Sequence, residues 1–137
     1  MNEHKNNTVY FWFAVFAICF VCFQFISYYI RPHYVGQHVC IKYLLGVAPN
    51  FFPAIGIPAL ILAILMQNKK LEKVSKVYNY RNVIAVSIST IGLVCWEIIQ
   101  SNSKKLVFDV NDIVWTFIGS LIFLMLYQIT KDKQKDY

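Results

Sequence analysis

Four apolar runs dominate this chain, at about residues 9–30, 43–67, 83–100 and 112–130. A membrane-spanning helix needs roughly 20 predominantly apolar residues, and each run comes close to that length. Four of them in 137 residues leave too little polar sequence to build a water-soluble core. The chain is 58% hydrophobic and 15% charged, against about 45–50% apolar and about 25% charged in a soluble domain. In hydrocarbon every backbone N–H and C=O needs an internal partner, so spans are helices or closed barrels. These runs lack the period-two alternation of barrel strands. The expected fold is all-α: an integral membrane four-helix bundle, one domain over residues 1–137. The first run is longer than the apolar region of a cleaved signal peptide. The following SYYIRPHYVG offers no small-residue cleavage pattern, so the run reads as a retained span.

The charges set the orientation. The net charge of +6 is no sign of nucleic-acid binding, because the basic residues sit between and beside spans. Lys5, Lys69, Lys70, Lys73, Lys76, Arg81, Lys131, Lys133 and Lys135 share one side of a four-span bundle, nine of thirteen basic residues. Arg31, Lys42, Lys104 and Lys105 share the other. An excess of Lys and Arg marks the cytoplasmic side, so both termini are expected inside a cytoplasmic membrane. In the basic loop, Leu71, Val74, Val77 and Tyr78 recur at helical spacing. That segment is either an amphipathic stretch on the inner leaflet or a solvated loop. Trp12, Trp96, Trp115, Tyr28, Tyr29 and Tyr34 lie near span ends and fit an interfacial aromatic belt.

The second span, YLLGVAPNFFPAIGIPALILAILM, contains Pro49, Pro53 and Pro58. Each removes a backbone donor and crowds the carbonyl one turn back. A span broken by these prolines over residues 44–57, or re-entrant there, is therefore expected, with a regular helix from Pro58. Asn50 falls inside that expected break.

The acids are sparse and unevenly placed. Glu3, Glu72, Asp132 and Asp136 lie in the tails and the basic loop. Glu97, Asp109 and Asp112 all fall at the outer ends of spans three and four, which a short loop forces to be antiparallel neighbours. Glu97 and Gln100 share a helix face. Asp109 and Asp112 suit the first turn of span four, as N-cap or as acids on the helix dipole. Glu97 stands in an apolar run, where a carboxylate is costly unless paired or functional. Lys104 or Lys105 is a potential partner. The candidate polar site is thus Asn50, Glu97, Gln100, Asp109 and Asp112. His33 and His38 show no metal-binding spacing, and neither metal nor cofactor is expected. Cys19 and Cys22 spell CxxC, but inside an apolar helix they read as small apolar residues.

The run E-x-x-Q at the end of span three, followed by a short polar loop and F-D-x-x-D-I-x-x-T-x-x-G, resembles the VanZ-like membrane proteins. Glu97, Gln100, Asp109, Asp112 and Gly119 fall on that pattern, over roughly residues 43–125. Asn50 and its prolines resemble the family's Asn-Pro segment. Thr116 stands where asparagine is common, so that polar contact is altered. The resemblance implies a cell-envelope membrane protein, with an effect on teicoplanin-type antibiotic resistance as one expectation, and it implies no particular reaction.

Two functions fit the residues. One is an outward-facing polar site that binds, or does acid–base work on, an anionic or amine-bearing lipid headgroup. The other is a noncatalytic scaffold or interaction subunit in which the acids cap and pair and Gly92 and Gly119 permit close helix contact. The expected partner is the lipid bilayer, with a homo-oligomer as a further option. A transporter would require such an oligomer, because no inverted repeat is visible.

Overall fold

A computed structural model of the protein describes residues 2–68, 78–101 and 109–133. The amphipathic positions Leu71, Val74 and Val77, and the pair Lys104 and Lys105, lie outside the described residues. Among the described residues all regular secondary structure is helical. Helix α1 (Asn2–Phe25) passes through one π-helical turn (Ile26–Ile30) into the short α2 (Arg31–His33). The chain then reverses into α3 (Val39–Gln67). Helices α4 (Arg81–Ser101) and α5 (Val110–Lys133) complete the bundle. Four segments are long and apolar enough to cross a membrane: Asn6–His33, Val39–Gln67, Arg81–Gln100 and Val110–Lys131. The chain therefore has the form of a multi-pass membrane protein. The end at which α1 and α4 finish and α3 and α5 begin is called the upper end below.

Helix α3 is the centre of the bundle and packs against α1, α4 and α5. Its sequence explains why. Between helices in lipid the hydrophobic driving force is weak, and close contact depends on small residues that let backbones approach. Ala54, Ala59 and Ala63 of α3 are all fully buried. Gly119 of α5 sits so close to α3 that an added Cβ would stand 2.7 Å from Ala54 Cβ and 2.8 Å from the Phe51 carbonyl oxygen. Gly56 is similarly placed under α1, where an added Cβ would meet Cys19 Cβ at 2.9 Å. In the lower half the core is Trp12, Leu62 and Phe123, closed by Tyr127. Trp12 packs on Phe123 with ring centroids 5.4 Å apart. Thr90 of α4 and Ser120 of α5 share a hydrogen bond of 2.8 Å, a polar clasp between two helices that otherwise meet through apolar groups.

Three sequence expectations need correction. The break over 44–57 is absent: α3 is one helix from Val39 to Gln67 with Pro49, Pro53 and Pro58 inside it. The prolines leave the carbonyls of Leu45, Pro49 and Ala54 without their usual donors. A membrane helix tolerates such gaps where neighbours can compensate, and α3 has neighbours on three sides. Second, Trp12 is no belt residue. It is 1% exposed and forms part of the core. Third, Gly92 does not mediate helix contact, since its Cα faces open space with nothing within 4 Å of an added Cβ.

Candidate functional site

The faces of α1, α3 and α4 that do not close on one another enclose a cavity of about 1660 Å³ in the upper half of the bundle. Helical spacing builds each wall. Phe16, Cys19, Phe20 and Phe23 come from one face of α1, and Gly46, Asn50, Pro53 and Ile57 from one face of α3. Leu93, Glu97 and Gln100 come from one face of α4. The π-helical turn widens the last stretch of the first span, and Ser27, Tyr28 and Arg31 line the cavity from it. Such turns recur at functional sites because they reset which side chains share a face. Asp109 and Asp112 reach the cavity from the start of α5.

All five residues singled out from the sequence therefore line one cavity: Asn50, Glu97, Gln100, Asp109 and Asp112. Arg31 and Lys42 join them from the ends of α2 and α3. The lining is graded in depth. Arg31, Lys42 and Asp109 are exposed at the mouth, Asn50, Gln100 and Asp112 are half-buried, and Glu97 is 2% exposed. Toward the middle of the bundle the wall turns to phenylalanine, proline and isoleucine. The volume exceeds the roughly 300–1,000 Å³ of a typical small-molecule pocket.

Glu97 is the most constrained member. It lies four residues before the end of α4, about 6 Å below that end along the helix axis. The Asn50 amide of α3 stands beside the carboxyls of both Glu97 and Asp112, close enough to interact with each, so α3 meets α4 and α5 at one point. Its two N–H donors suit two carboxylates at once. The carboxylates of Asp112 and Asp109 are near enough to Glu97 to interact with it electrostatically, and Arg31 with Asp112. Yet Glu97 Oε2 is buried with no hydrogen-bond partner among the described residues. Lys104 and Lys105, the expected partners, lie outside those residues. The buried hydroxyl of Ser27, on the opposite wall, is also without a hydrogen-bond partner among the described residues.

The two aspartates differ. Asp109 is the N-cap of α5: its Oδ1 accepts the Asn111 backbone N–H at 2.8 Å and the Asn111 side-chain amide at 2.8 Å. Asp112 sits three residues on, in the first turn, where a carboxylate also complements the helix dipole. Thr116, fully buried, turns its hydroxyl back to donate to the Asp112 carbonyl at 2.8 Å.

A supporting chain beside the site was not foreseen from the sequence. Trp115 Nε1 donates to the Tyr43 hydroxyl at 2.9 Å, and that hydroxyl donates to Asn111 Oδ1 at 3.5 Å. Trp115 also meets Phe51 edge-on at 5.6 Å. These contacts tie the start of α3 to the start of α5. Trp115 reads from the sequence as an interfacial aromatic and Tyr43 carries no signal of its own; only the packing of two distant helices pairs them. Among the described residues no group of three or more His, Cys, Asp or Glu is arranged to hold a metal ion.

Comparison of the chain with family models, with curated proteins and with solved structures found no match.

Proposed function

We propose that this protein is a multi-pass protein of the cytoplasmic membrane, of the VanZ-like kind, whose upper cavity faces outward and binds the headgroup of an envelope lipid. The observation that carries the proposal is Glu97: a buried carboxylate, one oxygen of which has no hydrogen-bond partner among the described residues, on the wall of an open cavity. A charge at membrane depth with no partner is costly and marks a functional position. The cavity also has the division a lipid requires, polar at the mouth and aromatic below. Its outward orientation rests on the excess of Lys and Arg at the lower end.

A scaffold role is the second reading. It is favoured by Asp109, whose cap bonds explain that carboxylate without a ligand. It leaves unexplained the Glu97 oxygen that has no partner among the described residues, so the lipid site is preferred.

The test is mass spectrometry of lipids that co-purify with the wild type and with Glu97→Gln plus Asp109→Asn, at matched abundance. Asparagine caps a helix about as well as aspartate, so the double change removes charge and spares the cap. Loss of a specific headgroup-bearing species in the variant is the expected result. Identical lipids on both proteins would establish the scaffold reading instead. The link to resistance is tested by teicoplanin susceptibility of cells with and without the protein.

A further inference from the structure

We propose that the site selects lipids whose headgroup carries a primary ammonium, and that this ammonium is seated on Glu97, Asp112 and Asn50. This inference rests on the lipid-site function above and names the headgroup class.

The formal charges of the lining come first. Among the described residues three carboxylates, Glu97, Asp109 and Asp112, face two cations, Arg31 and Lys42. Asp109 is held by Asn111 at the helix cap, and Asp112 interacts with Arg31. Glu97 remains without a cation among the described residues, and it is the deepest of the three. An anionic headgroup placed there would add a like charge in surroundings that screen it poorly. A cationic group removes the deficit.

The donors and acceptors narrow the class. An ammonium has three N–H donors and no acceptor. The floor of the site offers the complement: Glu97 Oε2, which has no donor among the described residues, and the Asp112 carboxylate. Asn50, beside both carboxylates, adds its side-chain carbonyl oxygen as a further acceptor. A quaternary ammonium has no N–H and leaves all three acceptors unsatisfied. Aromatic faces of the lining could hold such a group, but the Glu97 oxygen would still lack a donor.

The depth fits a phospholipid. Arg31 and Lys42 stand exposed at the mouth, where a phosphate lies at the bilayer surface. Glu97 lies about 6 Å below the end of α4. The ammonium bends inward onto α4 while the acyl chains follow Phe16, Phe20 and Phe23 on α1. Helices α1 and α4 make few contacts with each other, and the cavity between them is bounded behind by α3.

The experiment uses the full-length protein in detergent with a fixed excess of one lipid at a time, read by native mass spectrometry. The probes are dioleoyl phosphatidylethanolamine, phosphatidylcholine and phosphatidylglycerol. Water-soluble glycerophosphoethanolamine is added as a competitor to separate the headgroup alone from the whole lipid. The expected result is retention of the ethanolamine lipid over the choline lipid by about tenfold, lost in Glu97→Gln. The soluble competitor should displace it only weakly, because it lacks chains for the aromatic wall. Strong displacement would move the ligand class to soluble amines and overturn the lipid part of the inference. Equal retention of ethanolamine and glycerol lipids, both lost in Arg31→Gln plus Lys42→Gln, would overturn the ammonium while leaving a headgroup site in place. No retention beyond that of the choline lipid, in wild type and variants alike, would overturn both. Circular dichroism and gel filtration check that Glu97→Gln is folded. If it is not, Glu97→Asp, which keeps the charge and retracts it, should lower the preference without abolishing it, and an unchanged preference overturns the proposal.

Discussion

Gly119 of α5 meets Ala54 of α3 so closely that a Cβ on the glycine would stand 2.7 Å from the alanine Cβ. The next nearest atom is backbone, the Phe51 carbonyl oxygen at 2.8 Å, so no side-chain rotation relieves the clash. Gly119→Ala must therefore push two helices apart. Overpacking of this kind costs about 1–3 kcal/mol. Gly92→Ala provides the control, because its added methyl meets nothing within 4 Å. Thermal unfolding in detergent should show a lowered Tm for Gly119→Ala and almost none of that effect for Gly92→Ala. Equal Tm values would show that the α3–α5 crossing is looser than the geometry indicates.

Truncation of Trp12 tests the lower core. The ring is 1% exposed and packs on Phe123 and Tyr127. In a soluble core, Trp→Ala costs about 3–5 kcal/mol, of which part is transfer from water and part is the cavity left behind. In lipid the transfer part is largely absent, because hydrocarbon is as apolar as the core. The expected loss is thus about 1–2 kcal/mol from the cavity and lost contacts alone. Trp12→Phe should recover about half of it. Unfolding by a denaturing detergent would measure both, and a Trp12→Ala protein as stable as the wild type would contradict the packing.

Much of the bundle was legible in the sequence, because apolar length reports directly on bilayer thickness. All four spans were placed, although every helix runs beyond its apolar run, α1 from Asn2 and α3 from Val39. Hydropathy marks where lipid begins, whereas a helix ends where its caps are, as at Asp109. The carboxylate cluster was legible for the same reason, since acids are rare in such a chain and two short spacings joined by a short loop bring them together. The prolines misled. Their cost in an isolated helix was read correctly, but α3 is packed on several sides and the neighbours decide the outcome. The π-helical turn at Ile26–Ile30 has no local signature in ISYYI. The Tyr43–Trp115 bond joins residues 72 apart, and no periodicity reports on that pairing.

Asn50 joins two acids, and its replacement separates packing from charge. Asn50→Asp would put a third carboxylate between Glu97 and Asp112 and should lower stability sharply. Glu97→Gln in the same chain should restore much of it, because the glutamine amide can donate where the asparagine did. Residues in one hydrogen-bonded network show coupling of about 0.5–3 kcal/mol. A double-mutant cycle on Tm and on the amount of folded protein measures the term. Simple additivity would mean that Asn50 and Glu97 do not act on each other.

The cysteines report which way the bundle faces. Cys40 is exposed in the first turn of α3, at the upper end. Cys95 is also exposed, but it lies six residues before the end of α4, within a segment apolar enough to cross a membrane. Cys19 is buried against Gly56, and Cys22 is half-buried on the same helix. A thiol reacts as its thiolate, which forms readily in water and poorly in hydrocarbon. With the upper end outward, a membrane-impermeant maleimide added to intact cells should label Cys40 alone. Cys40→Ser should abolish the labelling and Cys95→Ser should leave it unchanged. Labelling of Cys40 only after the cells are broken would invert the bundle. The cavity would then open to the cytoplasm, and an outer-leaflet headgroup could no longer be its ligand.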